Sequence, residues 1–279
     1  MEYANINLTD EIFNKLKDMI YQISGIYFGE QKKYLLETRL SKRLSVLSLP
    51  NFEDYYNYLR YAPEKKLEIK ELLNSVTTNE TSFFRDMPQL DVFTDILKQV
   101  VQTAGSAYRK IRIWSAACST GEEPYTLCIL IKENFPKSDI NFEIVGSDIS
   151  ESALTSARKG VYGGYTLRNA PLAVLNKYFD KTDDDMYGVK DIVKNMTSFR
   201  NVNLMDKEEV KSLNVFDVVL CRNVIIYFDI ESKKKAIANI YESLKTGGYL
   251  FLGHSESLHS VSASFKLVGL GKTPLYKKE

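Results

Sequence analysis

A chain of 279 residues is long enough for one large domain and a smaller one, each with its own buried core. Its formal net charge of +1 argues against a protein built mainly to hold nucleic acid. No stretch approaches the ~20 apolar residues of a membrane span, and Met1-Glu2-Tyr3-Ala4-Asn5 lacks the basic-then-apolar opening of a secretion signal, so a cytoplasmic protein without membrane insertion is expected.

From Leu8 to about Asn74 the text is helical, with glycine only at Gly25 and Gly29. Ile12, Leu16, Met19, Ile20 and Ile23 mark an amphipathic helix that Ser24-Gly25 ends. Leu35, Leu36, Leu40, Leu44 and Leu47 mark a second, stopping before Leu49-Pro50. A third starts at Phe52, Tyr55, Tyr56 and Leu59, and a fourth at Leu67, Ile69, Leu72 and Leu73. Residues 1–74 are expected to form a compact all-α domain. Its second helix carries Lys32, Lys33, Arg39, Lys42 and Arg43 against only Glu30 and Glu37. That strip is either a solvated face laced with charge pairs or a positive surface that docks an acidic protein.

Residues 75–90 read as the linker to a larger domain, 91–279. In the linker, Asn79, Thr81 and Arg85 have a spacing that a loop entering a helix can turn toward one ligand. The plain alternative is helix capping by Thr77, Thr78 or Asn79 with Arg85 on the surface. Phe83-Phe84 would bury at the junction and hold Arg85 in place. A helix from about Leu90 to Thr103 follows, then Ala104-Gly105-Ser106.

Ile111-Arg-Ile-Trp114 is a short apolar run, Ser115 to Gly121 a stretch of small residues, and Pro124 to Phe135 has helical spacing. Strand, tight turn and helix in that order predict a nucleotide-like ligand over the carboxyl end of a strand in an open α/β sheet. The turn lacks the G-x-G-x-x-G spacing of dinucleotide-binding proteins, which disfavours a nicotinamide enzyme. Glu123 lies in the first helical turn, where either the helix dipole or a ligand's donors account for it. The next strand, Phe142 to Ser147, ends at Asp148, which either caps the following helix or accepts two ribose hydroxyls.

Residues 161–200 interrupt the alternation as an insert. Val161-Tyr-Gly-Gly164 reads as a turn, Leu172 to Phe179 as a short helix and Asp183-Asp184-Asp185 as a turn. Alternating segments around Tyr187-Gly-Val189 and Met196-Thr-Ser-Phe199 suggest a small antiparallel flap. The main sheet is expected to resume at Val202-Asn203-Leu204, with a buried strand at Phe216 to Cys221 and Arg222-Asn223 at its carboxyl end. A helix from about Glu231 to Leu244 ends at Lys245-Thr-Gly-Gly248, before a strand Tyr249 to Leu252. His254 follows that strand, either as a polar site residue or as a hydrogen-bonded structural histidine. Phe265 to Val268 and Pro274 to Tyr276, joined by Gly269-Leu-Gly-Lys, read as a closing hairpin. Cys118, Cys128 and Cys221 offer no disulfide framework, and neither histidine has company at metal-ligand spacing, so no metal site is expected.

Three stretches carry a family resemblance. Thr77-Thr-Asn-Glu-Thr-Ser-Phe-Phe-Arg-Asp86, Ala116-Ala-Cys-Ser-Thr-Gly-Glu-Glu-Pro-Tyr125 and Cys221-Arg-Asn-Val-Ile-Ile-Tyr-Phe228 resemble, in order, motifs of the CheR family. These are the chemotaxis receptor methyltransferases that use S-adenosylmethionine (SAM). With the helical amino-terminal region, the resemblance covers nearly the whole chain. It implies a SAM-dependent methyltransferase (Rossmann-like) mixed sheet with a small all-α N-terminal domain and an inserted antiparallel β-subdomain.

The activity the resemblance implies is protein-glutamate O-methylation of chemoreceptors for chemotactic adaptation, with S-adenosylhomocysteine as product and no metal. Asn79, Thr81, Arg85, Glu123, Asp148, Asn203, Leu204, Arg222 and Asn223 are implied to bind the cofactor. Glu123 would take its ammonium and Asn203 and Leu204 its adenine. Arg85 and Tyr227 are assigned the catalytic roles, Tyr227 by orienting the acceptor carboxylate. The helical domain is implied to dock the acidic cytoplasmic helical bundle of membrane chemoreceptors. In some family members the flap grips a receptor tail by strand addition. Nothing in the sequence demands more than a monomer. The third motif lacks the Pro-Pro-aromatic signature of many N-methyltransferases, which leaves N-methylation as the rival enzyme and a silent SAM-binding adaptor as the rival class.

Overall fold

The computed structural model describes residues 6–104, 110–182, 185–269 and 273–279. The expected turn at Asp183-Asp184, the Gly105-Ser106 connection and Leu270-Gly271-Lys272 lie outside the described residues.

Helix α1 (Asp10–Ser24) starts where the Thr9 hydroxyl accepts the Ile12 amide, and it stops at Gly25, whose φ of 72° suits a residue without Cβ. α2 (Lys33–Leu47), α3 (Phe52–Tyr61) and α4 (Lys65–Val76) complete the helical unit. Phe13, Leu16, Ile20, Leu36, Leu40, Tyr55 and Leu72 fill its core. Into that core descends Glu68, held by two Arg43 nitrogens at 2.9 and 2.6 Å and by the Tyr55 hydroxyl at 2.8 Å. The expected basic strip on α2 is therefore divided. Arg43 turns inward to Glu68, Lys33 bonds Asp10 at 2.5 Å, and of the five only Lys42 is exposed, while Lys32 and Arg39 turn toward the larger domain.

α5 (Met87–Ala104) leads into β1 (Lys110–Ala116), α6 (Glu122–Asn134), β2 (Asn141–Asp148) and α7 (Glu151–Lys159). The middle of the chain supplies β3 (Val161–Tyr162), α8 (Leu172–Tyr178), β4 (Phe179–Lys181), β5 (Tyr187–Val189) and α9 (Asp191–Lys194). Then come β6 (Thr197–Asn201), α10 (Lys207–Ser212), β7 (Phe216–Cys221), α11 (Ile230–Glu242), β8 (Leu244–Leu252), β9 (Phe265–Leu267) and β10 (Leu275–Lys278).

The main sheet has the order β6-β2-β1-β7-β8-β10-β9. β6 through β8 run parallel, and β10 is antiparallel to both β8 and β9. Alternate residues of a central strand go to opposite layers. Val218 and Leu220 join Ile113, Leu127 and Phe251 on one side, and Val219 and Cys221 join Trp114, Ile237 and Leu252 on the other. Burial on both faces is why β7 reads as an unbroken apolar run. The strand order reverses between β1 and β7, which opens a crevice at their carboxyl ends.

Four expectations need correction. Thr197–Asn201 does not belong to the flap: it pairs in parallel with β2 as the edge strand of the main sheet, so the insert closes before residue 197. The small sheet is β3-β5-β4, and it recruits Val161–Tyr162 from the expected turn. Val202-Asn203-Leu204 is then a loop beyond the end of β6, not a strand. Lys245-Thr-Gly-Gly248 likewise lies within β8, where the register shifts between Phe216 and Val218 and Gly247 takes φ 81°.

Candidate active site

At the end of β1 the chain turns through Ala117 (φ 59°), Ser119 (φ 51°) and Gly121 (φ 95°) before α6 opens. Left-handed backbone costs a residue with a Cβ about 1–2 kcal/mol, so two of these three positions are strained. Gly121 is needed on a second ground, since a Cβ there would stand 2.8 Å from the Ala157 Cβ. The Cys118 amide donates to the Ser147 carbonyl at 2.8 Å and ties the turn to β2.

Asp148 sits beside this turn, buried at the carboxyl end of β2. Its Oδ2 accepts the Ser119 amide at 2.8 Å and its Oδ1 the Ser150 amide at 2.9 Å. Ser150, not Asp148, is the N-cap of α7, accepting the Ala153 amide at 3.3 Å. Burial pushes the Asp148 carboxyl above the usual aspartate range, while the amides of Ser150, Ser119 and Ile149 pull it back. Each oxygen keeps a further lone pair for a hydroxyl donor.

Glu123, in the first turn of α6, accepts the Ser115 hydroxyl on Oε1 at 2.6 Å and Arg222 on Oε2 at 2.8 Å. Arg222 follows β7 and is only 8% exposed, so it is a buried cation and not a surface one. It also donates to the Arg85 carbonyl at 2.8 Å and lies 3.9 Å from the Asp86 carboxylate. The Arg222 Nε and the Ser82 Oγ are buried without a hydrogen-bond partner in the protein. Both residues line the crevice.

The linker crosses the top of this pair. Phe83 is buried against Tyr162 and Phe179, with ring centroids 4.8 and 5.2 Å apart, and Phe84 is buried with φ 53°. Asp86 has φ 65°. Arg85 is thus held between two left-handed residues, its guanidinium donating to the Glu80 carbonyl at 3.0 Å. Ser119 Oγ donates to the Asn79 carbonyl at 3.0 Å, joining linker and turn.

Asn203 departs from expectation. Its Oδ1 accepts the Met205 amide at 2.9 Å and its Nδ2 donates to the Ile23 carbonyl at 2.6 Å, at the end of α1. The side-chain amide holds the helical unit in place, which leaves less of it to read an adenine edge than the residue type suggests. Leu204 is buried on the crevice wall. Asn223 has φ 59°, and Tyr227 ends a 3-10 turn, Ile225–Tyr227. The Tyr227 carbonyl accepts the Tyr27 amide at 2.9 Å, next to an antiparallel bridge between Ile26 and Phe228.

One crevice is lined by Asn79, Thr81, Arg85, Glu123, Asp148, Asn203, Leu204, Arg222, Asn223 and Tyr227 together. His254 is exposed and stands outside it. Sequence reasoning missed the wall supplied by the helical unit, including Tyr27, Phe28, Lys32, Leu35 and Arg39. Arg39 donates to the Val76 carbonyl and, at 2.9 Å, to the Thr78 hydroxyl. Cys118, Cys128 and Cys221 are free and buried, with their thiols pushed up by burial. Among the described residues no cluster of His, Cys, Asp and Glu could hold a metal ion, and no helix is long and apolar enough to cross a membrane.

Known proteins resemble the chain over nearly its whole length. Residues 79–273 match the CheR methyltransferase SAM-binding domain and residues 11–77 the CheR methyltransferase all-alpha domain. The chain is 37% identical over 275 residues to chemotaxis protein methyltransferase 2 of Vibrio cholerae, covering 98% of this chain and 94% of the relative. It is 39% identical over 259 residues to a chemotaxis protein methyltransferase of Borreliella burgdorferi, covering 91% and 90%.

Proposed function

The chain belongs to the CheR family of SAM-dependent chemotaxis methyltransferases, and from that premise we propose that it methylates glutamate side-chain carboxylates of chemoreceptors. The products are the methyl ester and S-adenosylhomocysteine. The observation that carries this reading is the meeting of Arg85, Glu123, Asp148, Arg222 and Tyr227 in one crevice at the point where the strand order reverses.

In this reading Asp148 takes the ribose hydroxyls on its free lone pairs, and Leu204 covers the adenine beside the Asn203 backbone. Glu123 accepts the ammonium, Arg222 holds the Glu123 carboxylate in place, and Asn79, Thr81 and Asn223 close the polar wall. Bound SAM supplies a sulfonium methyl that is electrophilic without further activation. An acceptor glutamate, with a reference pKa of about 4.3, is already ionised near neutral pH, so no residue has to remove a proton. What the chain supplies is alignment and exclusion of water. Tyr227 orients one acceptor oxygen through its hydroxyl. Arg85 holds the acceptor or the cofactor partially, because a tight bidentate grip would blunt the nucleophile.

The acceptor is proposed to arrive as part of the acidic cytoplasmic helical bundle of a receptor. The helical unit, with Lys32, Arg39 and Lys42, meets it, and the enzyme works as a cytoplasmic monomer. The test is transfer of labelled methyl from SAM to a receptor cytoplasmic fragment, followed by mild alkali. Base-labile label released as methanol is expected, lowered about tenfold or more in Tyr227→Phe and Arg85→Ala variants that stay folded. Base-stable label would instead indicate N-methylation. Demonstrated SAM binding without transfer to several receptors would indicate an adaptor.

A further inference from the structure

Glu256 is 4% exposed, yet no cation accompanies its carboxylate among the described residues. Four backbone amides converge on it instead. Its Oε2 accepts Gly253 at 2.6 Å and Asn223 at 2.8 Å, and its Oε1 accepts Val224 at 2.8 Å and Ile226 at 3.3 Å. Three of these amides belong to the loop that carries Asn223 and Tyr227 from the end of β7, and the fourth to the end of β8. The carboxylate therefore pins the loop to the neighbouring strand by bonds that only an acceptor with two oxygens can make.

Two further features require this arrangement. A Cβ at Gly253 would stand 2.6 Å from the Glu256 Oε2 and 2.7 Å from the Asn223 nitrogen, so the space between β8 and the loop is reserved for the carboxylate. Asn223 is held at φ 59°, a conformation that a free loop would leave and that its bonded amide keeps.

We infer that Glu256 is a positioning residue for methyl transfer, acting by fixing the 223–227 loop so that Asn223 and Tyr227 face the crevice. The inference rests on the roles given above to Asn223 and Tyr227. Glu256→Gln keeps the size of the side chain but turns an NH2 group toward amides that need an acceptor. Two of the four bonds are then lost, at least one of them from the loop, and Tyr227 loses its fixed direction.

The experiment is a double-mutant cycle on the full chain, with kcat for a receptor fragment, KM for SAM and calorimetric affinity for S-adenosylhomocysteine. Each variant is checked for folding by circular dichroism. Glu256→Gln is expected to lower kcat by about tenfold to a hundredfold, as loss of alignment does, and to weaken S-adenosylhomocysteine severalfold through Asn223. In a Tyr227→Phe background the same change is expected to cost less than about threefold in kcat, because the group it positions is gone. Glu256→Asp, which keeps the charge, should recover part of the loss, and His254→Ala, beside it but exposed, should change nothing.

Gly253→Ala is the second variant, pushing the carboxylate off the Asn223 amide without altering charge, with the same expected signature. Equal losses in both backgrounds, or unchanged kcat, would overturn the inference. Failure of both variants to fold would do so as well, by giving Glu256 a role in stability alone. If the unmodified protein transfers no methyl group, the functional reading falls. The loop assignment then stands or falls on the S-adenosylhomocysteine affinity of Glu256→Gln.

Discussion

The two ends of the main sheet both carry charge, but they handle it differently. At the amino ends of the strands Arg112 bonds Glu143 at 2.9 Å and lies 4.4 Å over the Phe216 ring, while Lys245 bonds both oxygens of Asp217 at 3.0 Å. Each acid there faces a base, and the left-handed residues nearby are Asn214 and Gly247, of types that tolerate that conformation. At the carboxyl ends Asp148 and Glu256 are buried against backbone amides, Arg222 keeps a nitrogen unpartnered, and Phe84, Ala117 and Ser119 are left-handed. One end uses charge to close the fold. The other holds strain and unspent hydrogen-bonding capacity, which is what a surface built for a ligand has to hold.

The sharpest way to break this contrast is to remove one arginine from each end. Arg222→Leu strips Glu123 of its cation in a buried setting, so it is expected to cost about 3 kcal/mol of stability and to abolish S-adenosylhomocysteine binding. Arg112→Leu should cost about 1–2 kcal/mol and leave that affinity unchanged. Urea melts and calorimetry read both. Equal loss of binding in the two variants would erase the distinction.

Asp148→Asn comes next, with affinity for S-adenosylhomocysteine expected to fall about tenfold to a hundredfold, the worth of hydrogen bonds to a charged group. Its pH dependence has two signs. Because burial raises this carboxyl on folding, the native chain holds the proton more tightly than the unfolded one, and Asp148's contribution to stability declines as pH rises from the unfolded pKa through the folded one. Ligand affinity runs the other way. It should weaken as pH falls through the raised pKa, with proton release on binding visible as buffer-dependent heat. Asp148→Asn should flatten that profile. The smallest effect is at the strained turn, where Ala117→Gly should add up to about 1 kcal/mol of stability by relieving φ 59°.

Motif residues were legible because each lies at a place local spacing defines. Glu123 lies in the first turn of the helix that follows β1, Asp148 ends β2 and Arg222 follows β7, and parallel strands bring their carboxyl ends to one edge. Thr197–Asn201 was misassigned for the opposite reason. A period-2 pattern tells a strand from a helix but not which sheet it joins, and this strand's partner, β2, is some fifty residues away. The side-chain bonds of Asn203 to Ile23, and of Glu256 to Asn223, join residues 180 and 33 positions apart, a relation no window along the chain contains. Arg39 read as part of a surface strip because helical spacing gives a face but not what that face meets.

Tyr27 donates its amide to Tyr227, and that bond crosses from the helical unit to the loop at the proposed reacting centre. An amide proton shielded there exchanges with solvent only when the two units part. The exchange rate of Tyr27, compared with that of Gly25, whose amide bonds Tyr21 within α1, is then a clock for domain separation written into the native backbone. It would report, without any label, how often the crevice opens to release one adenosyl compound and admit the next.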